Sequence, residues 1–271
     1  VTSDSESADE YGLAGKVAIV SGAGGPIGDP ADAGVTNGRA AAVLLGRAGA
    51  KVCVVGRTLA LAQHTVDLIA KNGGEAFAYV ADVSKEGDCR RTVETTMERY
   101  GRLDCLDNNV GAGFAGDVTE ISLETWHAAF ALNLDSMMLM SKYAIPAMIA
   151  SDGGGSIVNI GSLRSIRPQQ STAYTVTKGA VIALTKTMAA DHGAQGIRSN
   201  CIVLGPVYTP KTAEVLPHKR ALRVEANLLK TEGTGWDTGY LARFLLSSQA
   251  KWITGQSIVL DGGASLIGPS R

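Results

Sequence analysis

The fold class predicted for this 271-residue sequence is α/β: a doubly wound parallel sheet of about seven strands flanked by helices, in one domain. Three observations carry that expectation. Short runs rich in Val, Ile and Ala alternate with longer segments whose apolar residues recur at helical spacing. The short runs are almost continuously apolar, as strands covered on both faces are. A Gly-rich turn, SGAGGPIG, follows the first of them at residues 21–28. At this length an α/β chain commonly forms one unit. The domain is expected over 13–271, after a flexible tail over 1–12. That tail, VTSDSESADEYG, is polar and acidic, without the basic start and apolar run of a secretion signal.

Seven runs read as strands in order: KVAIVSG (16–22), KVCVVG (51–56), EAFAYVAD (75–82), LDCLDNN (103–109), SIVNIGS (156–162), IRSNCIVLG (197–205) and QSIVLDGG (256–263). Helices are expected between them, roughly over Gly38 to Ala48, Leu59 to Asn72, Lys85 to Tyr100, Leu123 to Ala150, Ala173 to His192 and Thr238 to Ser248. Asp107 breaks the apolar pattern of its strand. A carboxylate buried there needs a nearby cation or hydroxyl, or else a raised pKa.

Composition excludes several classes. Hydrophobic residues make up 45% and aromatics only 5%, with 33 glycines, a balance typical of a globular chain. A net charge of -1 offers no electrostatic reason to bind nucleic acid or an anionic membrane. No uninterrupted run of about 18 apolar residues exists to span a bilayer. The expectation is a cytoplasmic protein with neither nucleic acid nor membrane as partner. Cys53, Cys89, Cys105 and Cys201 lack ligand-like spacing and read as reduced core thiols, so no metal site is expected.

Strand ends locate the candidate site, because open α/β sheets bind ligands beyond the carboxyl ends of their strands. Gly22 and its neighbours in the first turn let backbone N–H groups approach a pyrophosphate at a helix N-terminus. After the second strand stand Gly56 and Arg57. A carboxylate at this place holds an unphosphorylated ribose, whereas an arginine accommodates a 2′-phosphate, so NADP(H) is preferred and NAD(H) is the alternative. The third strand ends in Asp82-Val83, where the carboxylate serves either an adenine amino group or the following helix as a cap. The fourth ends in Asn108, Asn109, Val110 and Gly111, which suit close approach to a cofactor. Asn133 lies in an apolar helix and needs a partner for its amide. Ser162 ends the fifth strand. Tyr174 and Lys178 are four residues apart, which places phenol and ammonium on one helix face. A lysine close to the tyrosine favours the phenolate, bringing proton exchange nearer to neutral pH than the ordinary value of about 10.

Taken in order, these residues resemble the short-chain dehydrogenase/reductase family from about Leu13 to Gly263: the Gly-rich turn, the Asp-Val pair, NNVG, an Asn in the fourth helix, Ser followed by YxxxK, and ITGQSIVLDGG. The resemblance implies a Rossmann-type sheet and a catalytic tetrad of Asn133, Ser162, Tyr174 and Lys178. Tyr174 then gives or takes the proton of the alcohol or carbonyl, and Ser162 hydrogen-bonds the same oxygen. Lys178 binds the nicotinamide ribose and lowers the tyrosine pKa, while Asn133 positions a relay water. Val207 and Thr209 match the positions that hold the nicotinamide carboxamide.

Departures from the family pattern are concentrated in the first turn. If Gly28 is its last glycine, Pro26 replaces the middle one, Ile27 offers the backbone N–H to the pyrophosphate, and DPADAGVTNG is inserted before the helix. In the other alignment Gly34, Val35 and Thr36 form the tight turn, Val35 is the donor, and NGRAAAVLL opens the helix. Ser162 precedes Tyr174 by twelve residues rather than thirteen, which implies a shortened substrate loop. Leu204 replaces the usual proline before Gly205.

The expected partner is a small-molecule secondary alcohol or ketone. A basic rim of Arg164, Arg167, Lys211, His218, Lys219, Arg220 and Arg223 either favours an anionic substrate or is a solvated face. Apolar surface on the helices from Leu123 and Ala173, with the resemblance, implies a homotetramer; a homodimer is the alternative. Two rival functions share the scaffold: a silent dinucleotide-binding or sensing protein, and a lyase or isomerase using the same tyrosine.

Overall fold

Every residue of β1 (Val17–Ser21) is buried, because this strand lies inside a sheet with neighbours on both sides. The sheet has seven parallel strands in the order β3-β2-β1-β4-β5-β6-β9. They are β1, β2 (Lys51–Gly56), β3 (Glu75–Val80), β4 (Cys105–Asn108), β5 (Gly155–Ile160), β6 (Ile197–Leu204) and β9 (Ser257–Leu260), the seven runs read from the sequence. The computed structural model describes residues 9–28, 34–151, 153–168, 171–215 and 220–267. Strand order reverses at β1, where β2 lies on one side and β4 on the other. The crevice beyond their carboxyl ends is thereby open to a ligand.

Helices close both faces. α1 (Asn37–Arg47), α2 (Leu59–Lys71) and α9 (Gly235–Leu246) lie on one, where Ala41, Leu45 and Leu245 join Val20, Val52 and Val158 in a core. α3 (Glu86–Tyr100), α5 (Ser136–Ala150) and α6 (Thr172–His192) lie on the other, where Val93, Met140 and Met148 join Ile19, Cys53 and Ile157. Adjacent residues of a strand alternate between the two cores, which is why the strands are apolar throughout. Two short strands, β7 (Val207–Tyr208) and β8 (Gly233–Thr234), pair with each other outside the main sheet and flank α7 (Pro210–Val215) and α8 (Arg220–Glu225).

The continuous helix expected from Leu123 to Ala150 is interrupted. α4 (Leu123–Phe130) passes through a π-helical turn at Ala131–Asp135 before α5 begins. That wider turn carries Asn133, and π-turns recur at functional sites. A buried polar ladder then ties the strands to α6. Asn108 Nδ2 donates to Asn159 Oδ1 at 2.9 Å, and Asn159 Nδ2 donates to Thr185 Oγ1 at 3.0 Å. Each amide finds a defined partner only in one register, so the ladder sets where α6 sits along β5.

Of the expected tail, 1–8 lies outside the described residues, but 9–12 is attached to the fold. Asp9 accepts the Leu13 and Ala14 N–H groups, and Tyr11 O accepts the Ser248 N–H at 2.9 Å. All four cysteines are free and buried, and burial pushes the Cys53 and Cys105 thiols up to about 12. Asp107 has the raised pKa: it is fully buried between Val20 and Val158, and desolvation pushes it up to about 7. Neither carboxyl oxygen meets a hydrogen-bond partner among the described residues. Among those residues no helix is long and apolar enough to cross a membrane.

Candidate active site

A cavity of about 480 Å³ opens over the carboxyl ends of β1 to β4. Its walls are the glycine turn at Gly22, Gly24 and Gly25, the start of α1 at Thr36, Asn37 and Gly38, Arg57 after β2, Asp82 and Val83 after β3, Asn109 and Gly111 after β4, and Thr209 with Lys211. The turn and helix can meet because both contribute glycine. A Cβ on Gly38 would stand 2.9 Å from Gly22 C and O, so any side chain there would push α1 off the turn. Gly56 has the same role at the end of β2, where a Cβ would lie 2.9 Å from Gly24 Cα. Arg39, buried on α1, holds the turn from behind by donating to Gly25 O at 2.6 Å, Pro26 O at 2.7 Å and Thr65 Oγ1 at 2.9 Å.

The lining fits a dinucleotide. Thr36 Oγ1, Asn37 Oδ1 and both amide atoms of Asn109 are buried without a hydrogen-bond partner among the described residues. Leaving such atoms unpaired costs free energy that a polar guest removes. The unpaired N–H groups at the start of α1 and the positive end of its dipole suit a pyrophosphate.

Gly111 marks the inner end of the cavity and the beginning of the tetrad. A Cβ on it would stand 3.2 Å from both Lys178 Nζ and Asn133 Oδ1. Asn133 clamps the next residue twice, accepting from Ala112 N at 2.9 Å and donating to Ala112 O at 3.0 Å. Lys178, 3% exposed, donates to Ile160 O at 2.7 Å at the end of β5. Tyr174 lies one turn before it on α6, with Lys178 Nζ 6.0 Å from the ring centroid. Ser162 lies near the phenol and accepts the Arg164 N–H at 3.2 Å. Ser165 donates to Ser162 O at 2.6 Å and is turned back on its own loop. The four tetrad side chains thus gather beyond the cavity rather than along its walls.

Electrostatics correct one expectation. Burial raises the Tyr174 pKa above its ordinary value; the Ser162 hydroxyl and the Arg164 charge oppose this without offsetting it. Burial also pushes Lys178 down to about 8, and the nearby Lys211 charge adds to that. With its ammonium engaged by Ile160 O, the lysine does not by itself keep the phenol acidic.

The first turn is also corrected. α1 begins at Asn37, as in the alignment that opens the helix with NGRAAAVLL. Ile27 is 50% exposed and Gly28 packs against Gly34 O and Pro210, so neither lines the cavity. Val35 is buried but likewise off the wall. Val207 is held in the β7–β8 pair, whereas Thr209 reaches the cavity. Asp82 Oδ1 accepts from Ser84 N and Oγ at 3.1 and 2.7 Å, and the N-cap position of α3 falls on Lys85, without a side-chain cap. Asn37 and Gly38 are wall residues that the reading did not place in the site, although their Asn-Gly pair before an apolar helix was the available signal.

The basic rim is largely taken up by the chain itself. Arg167 donates to Ala264 O, Arg220 pairs with Glu232, and Arg223 donates to Thr212 O. His218 and Lys219 lie outside the described residues. Arg164 is the rim cation whose charge reaches Tyr174.

Fold and crevice together define an oxidoreductase scaffold of the Rossmann type, with a dinucleotide cavity leading to a tyrosine-lysine pair. The family model described as enoyl-(acyl carrier protein) reductase matches residues 34–265. A cyclohexanol dehydrogenase from Acinetobacter sp. is 33% identical over 249 residues, covering 91% of this chain and 94% of that protein. A short-chain dehydrogenase/reductase from Burkholderia xenovorans superposes with a TM-score of 0.88 at 37% identity, covering 95% of this chain and 99% of the other. A 7 alpha-hydroxysteroid dehydrogenase, solved with NADH and 7-oxo glycochenodeoxycholic acid, superposes with a TM-score of 0.86 at 30% identity, covering 94% and 96%. The chain belongs to the short-chain dehydrogenase/reductase family and is an NAD(P)-dependent oxidoreductase.

Proposed function

We propose that this enzyme moves a hydride between NADP(H) and a secondary alcohol or ketone. The reading rests above all on the convergence of Asn133, Lys178 and Gly111 within one contact distance, with Tyr174 one helical turn away and Ser162 beside it. When bound, the dinucleotide supplies or accepts the hydride. Gly22, Thr36, Asn37 and Gly38 hold its pyrophosphate, Asp82, Val83 and Asn109 its adenine half, and Thr209 and Lys178 its nicotinamide half. Tyr174 Oη exchanges the proton of the substrate oxygen, and Ser162 Oγ donates to that oxygen as its charge changes. Asn133, clamped to Ala112, holds the wall that the reacting end meets.

Arg57 supports the NADP(H) preference. It lines the cavity immediately after β2, where no carboxylate stands, and its charge reaches Asp82 and Lys211. A hydroxylated ring or other secondary alcohol fits the similarity to the cyclohexanol dehydrogenase. Leu123, Met138, Ile149 and Val176, exposed on α4 to α6, are read as the assembly face of a homotetramer. Incubation with NADPH and a panel of cyclic and open-chain ketones tests the activity by loss of reduced-nicotinamide absorbance. Steady consumption is expected. A protein that binds NADPH yet consumes none with any ketone, and reduces no NADP⁺ with the matching alcohols, would be the silent binder instead.

A further inference from the structure

Lys211 is the cation that the sequence assigned only to a diffuse rim. It lies on α7, two residues after Thr209, and its ammonium donates across the mouth of the crevice to Gly111 O at 2.8 Å. The residue lines the cavity with Arg57 at one end and Gly111 at the other. Its charge is felt at Lys178, and the charge of Arg57 is felt at Lys211. A molecule running from Arg57 to Lys178 therefore passes Gly111, where the Lys211 ammonium sits.

We infer that Lys211 is a dinucleotide-binding residue whose ammonium leaves the Gly111 carbonyl and takes the pyrophosphate, opposite the N-terminus of α1. This rests on the reading that a dinucleotide occupies the crevice. The physical argument is an exchange of acceptors: the ammonium keeps a charge-assisted hydrogen bond and, in trading a neutral carbonyl for a diphosphate, gains the attraction between opposite charges. This wall gains importance because Ile27 and Gly28, expected to face the pyrophosphate, do not line the cavity. Before the dinucleotide arrives, the Lys211–Gly111 bond joins α7 to the turn after β4.

Titration of NADPH and of NADH into the wild-type protein, followed by fluorescence of the reduced nicotinamide, tests the inference without turnover. Lys211→Gln should weaken both ligands by the same factor, roughly tenfold, since both carry the pyrophosphate. Lys211→Arg keeps the charge and should remain within about threefold of wild type. Unchanged affinity in Lys211→Gln would overturn the inference, as would equal losses in Lys211→Gln and Lys211→Arg. Weakening of NADPH alone would overturn it too, by moving the contact to the 2′-phosphate. Failure of both dinucleotides to bind the wild-type protein would remove the underlying reading and this inference with it.

Discussion

Asn133 is bonded to both backbone polar groups of Ala112: its amide oxygen accepts the Ala112 N–H and its amide nitrogen donates to the Ala112 carbonyl. The side chain is completely buried. Asn133→Ala should leave a donor and an acceptor of Ala112 unpaired and cost about 2–4 kcal/mol of stability, at 1–2 kcal/mol for each group. Urea unfolding measures it. A loss below about 0.5 kcal/mol would mean that water replaces the amide and that the clamp is not structural.

Tyr174→Phe removes only the proton-exchanging hydroxyl. The turnover rate should fall by about two to four orders of magnitude while NADPH affinity stays within about twofold. Stopped turnover with unchanged binding is the expected pair of results. If most of the rate survived, another group would be handling the proton.

Because burial holds the Tyr174 pKa above its ordinary value, the phenol is protonated across neutral pH in the free enzyme. Alcohol oxidation needs the phenolate, so its kcat/KM should climb as pH rises above neutrality. Ketone reduction needs the phenol and should stay level over the same range. Parallel profiles in the two directions would contradict the assignment.

Arg57→Asp places a carboxylate where a ribose 2′-hydroxyl is usually held. The ratio of kcat/KM for NADPH over NADH should fall by roughly a hundredfold, combining a lost attraction with a new repulsion. An unchanged ratio would show that a different group recognises the 2′-phosphate.

Asp107 makes stability depend on pH. Its folded pKa of about 7 lies above the unfolded carboxyl value, so the folded chain holds a proton that the unfolded chain releases. Its contribution is fully present below the unfolded pKa, near 4, and is lost as pH rises through 7, a difference of roughly 4 kcal/mol at most. Asp107→Asn cannot ionise. Between pH 5 and pH 8 the melting temperature of the wild type should drop relative to that of Asp107→Asn, and a constant difference would show that Asp107 keeps one protonation state throughout.

The strands were legible because their information is local. Runs such as VAIVS and KVCVVG have no polar face, and only a sheet covered on both sides accepts them. The alignment of Tyr174 with Lys178 was legible for a similar reason, since helical spacing alone sets it. What could not be read was which backbone would stand opposite each polar group. Asn133 looked like an amide in an apolar helix; its partners, Ala112 and Thr177, lie 21 and 44 residues away in the chain. The two alignments of the Gly-rich turn differ in where the helix opens, and α1 begins at Asn37.

By itself the sequence determined the seven-stranded α/β architecture, the family and the set of side chains able to do the chemistry. Periodicity and strand-end residues report which faces are buried and what each strand delivers. Tertiary structure alone decided the electrostatics and the division of labour among the cations. Arg167 and Arg220 answer acceptors of their own chain, Lys211 crosses the crevice, and burial outweighs the hydroxyl and guanidinium acting on Tyr174. The reason is that desolvation and pairing depend on three-dimensional neighbours, which spacing along the chain does not specify.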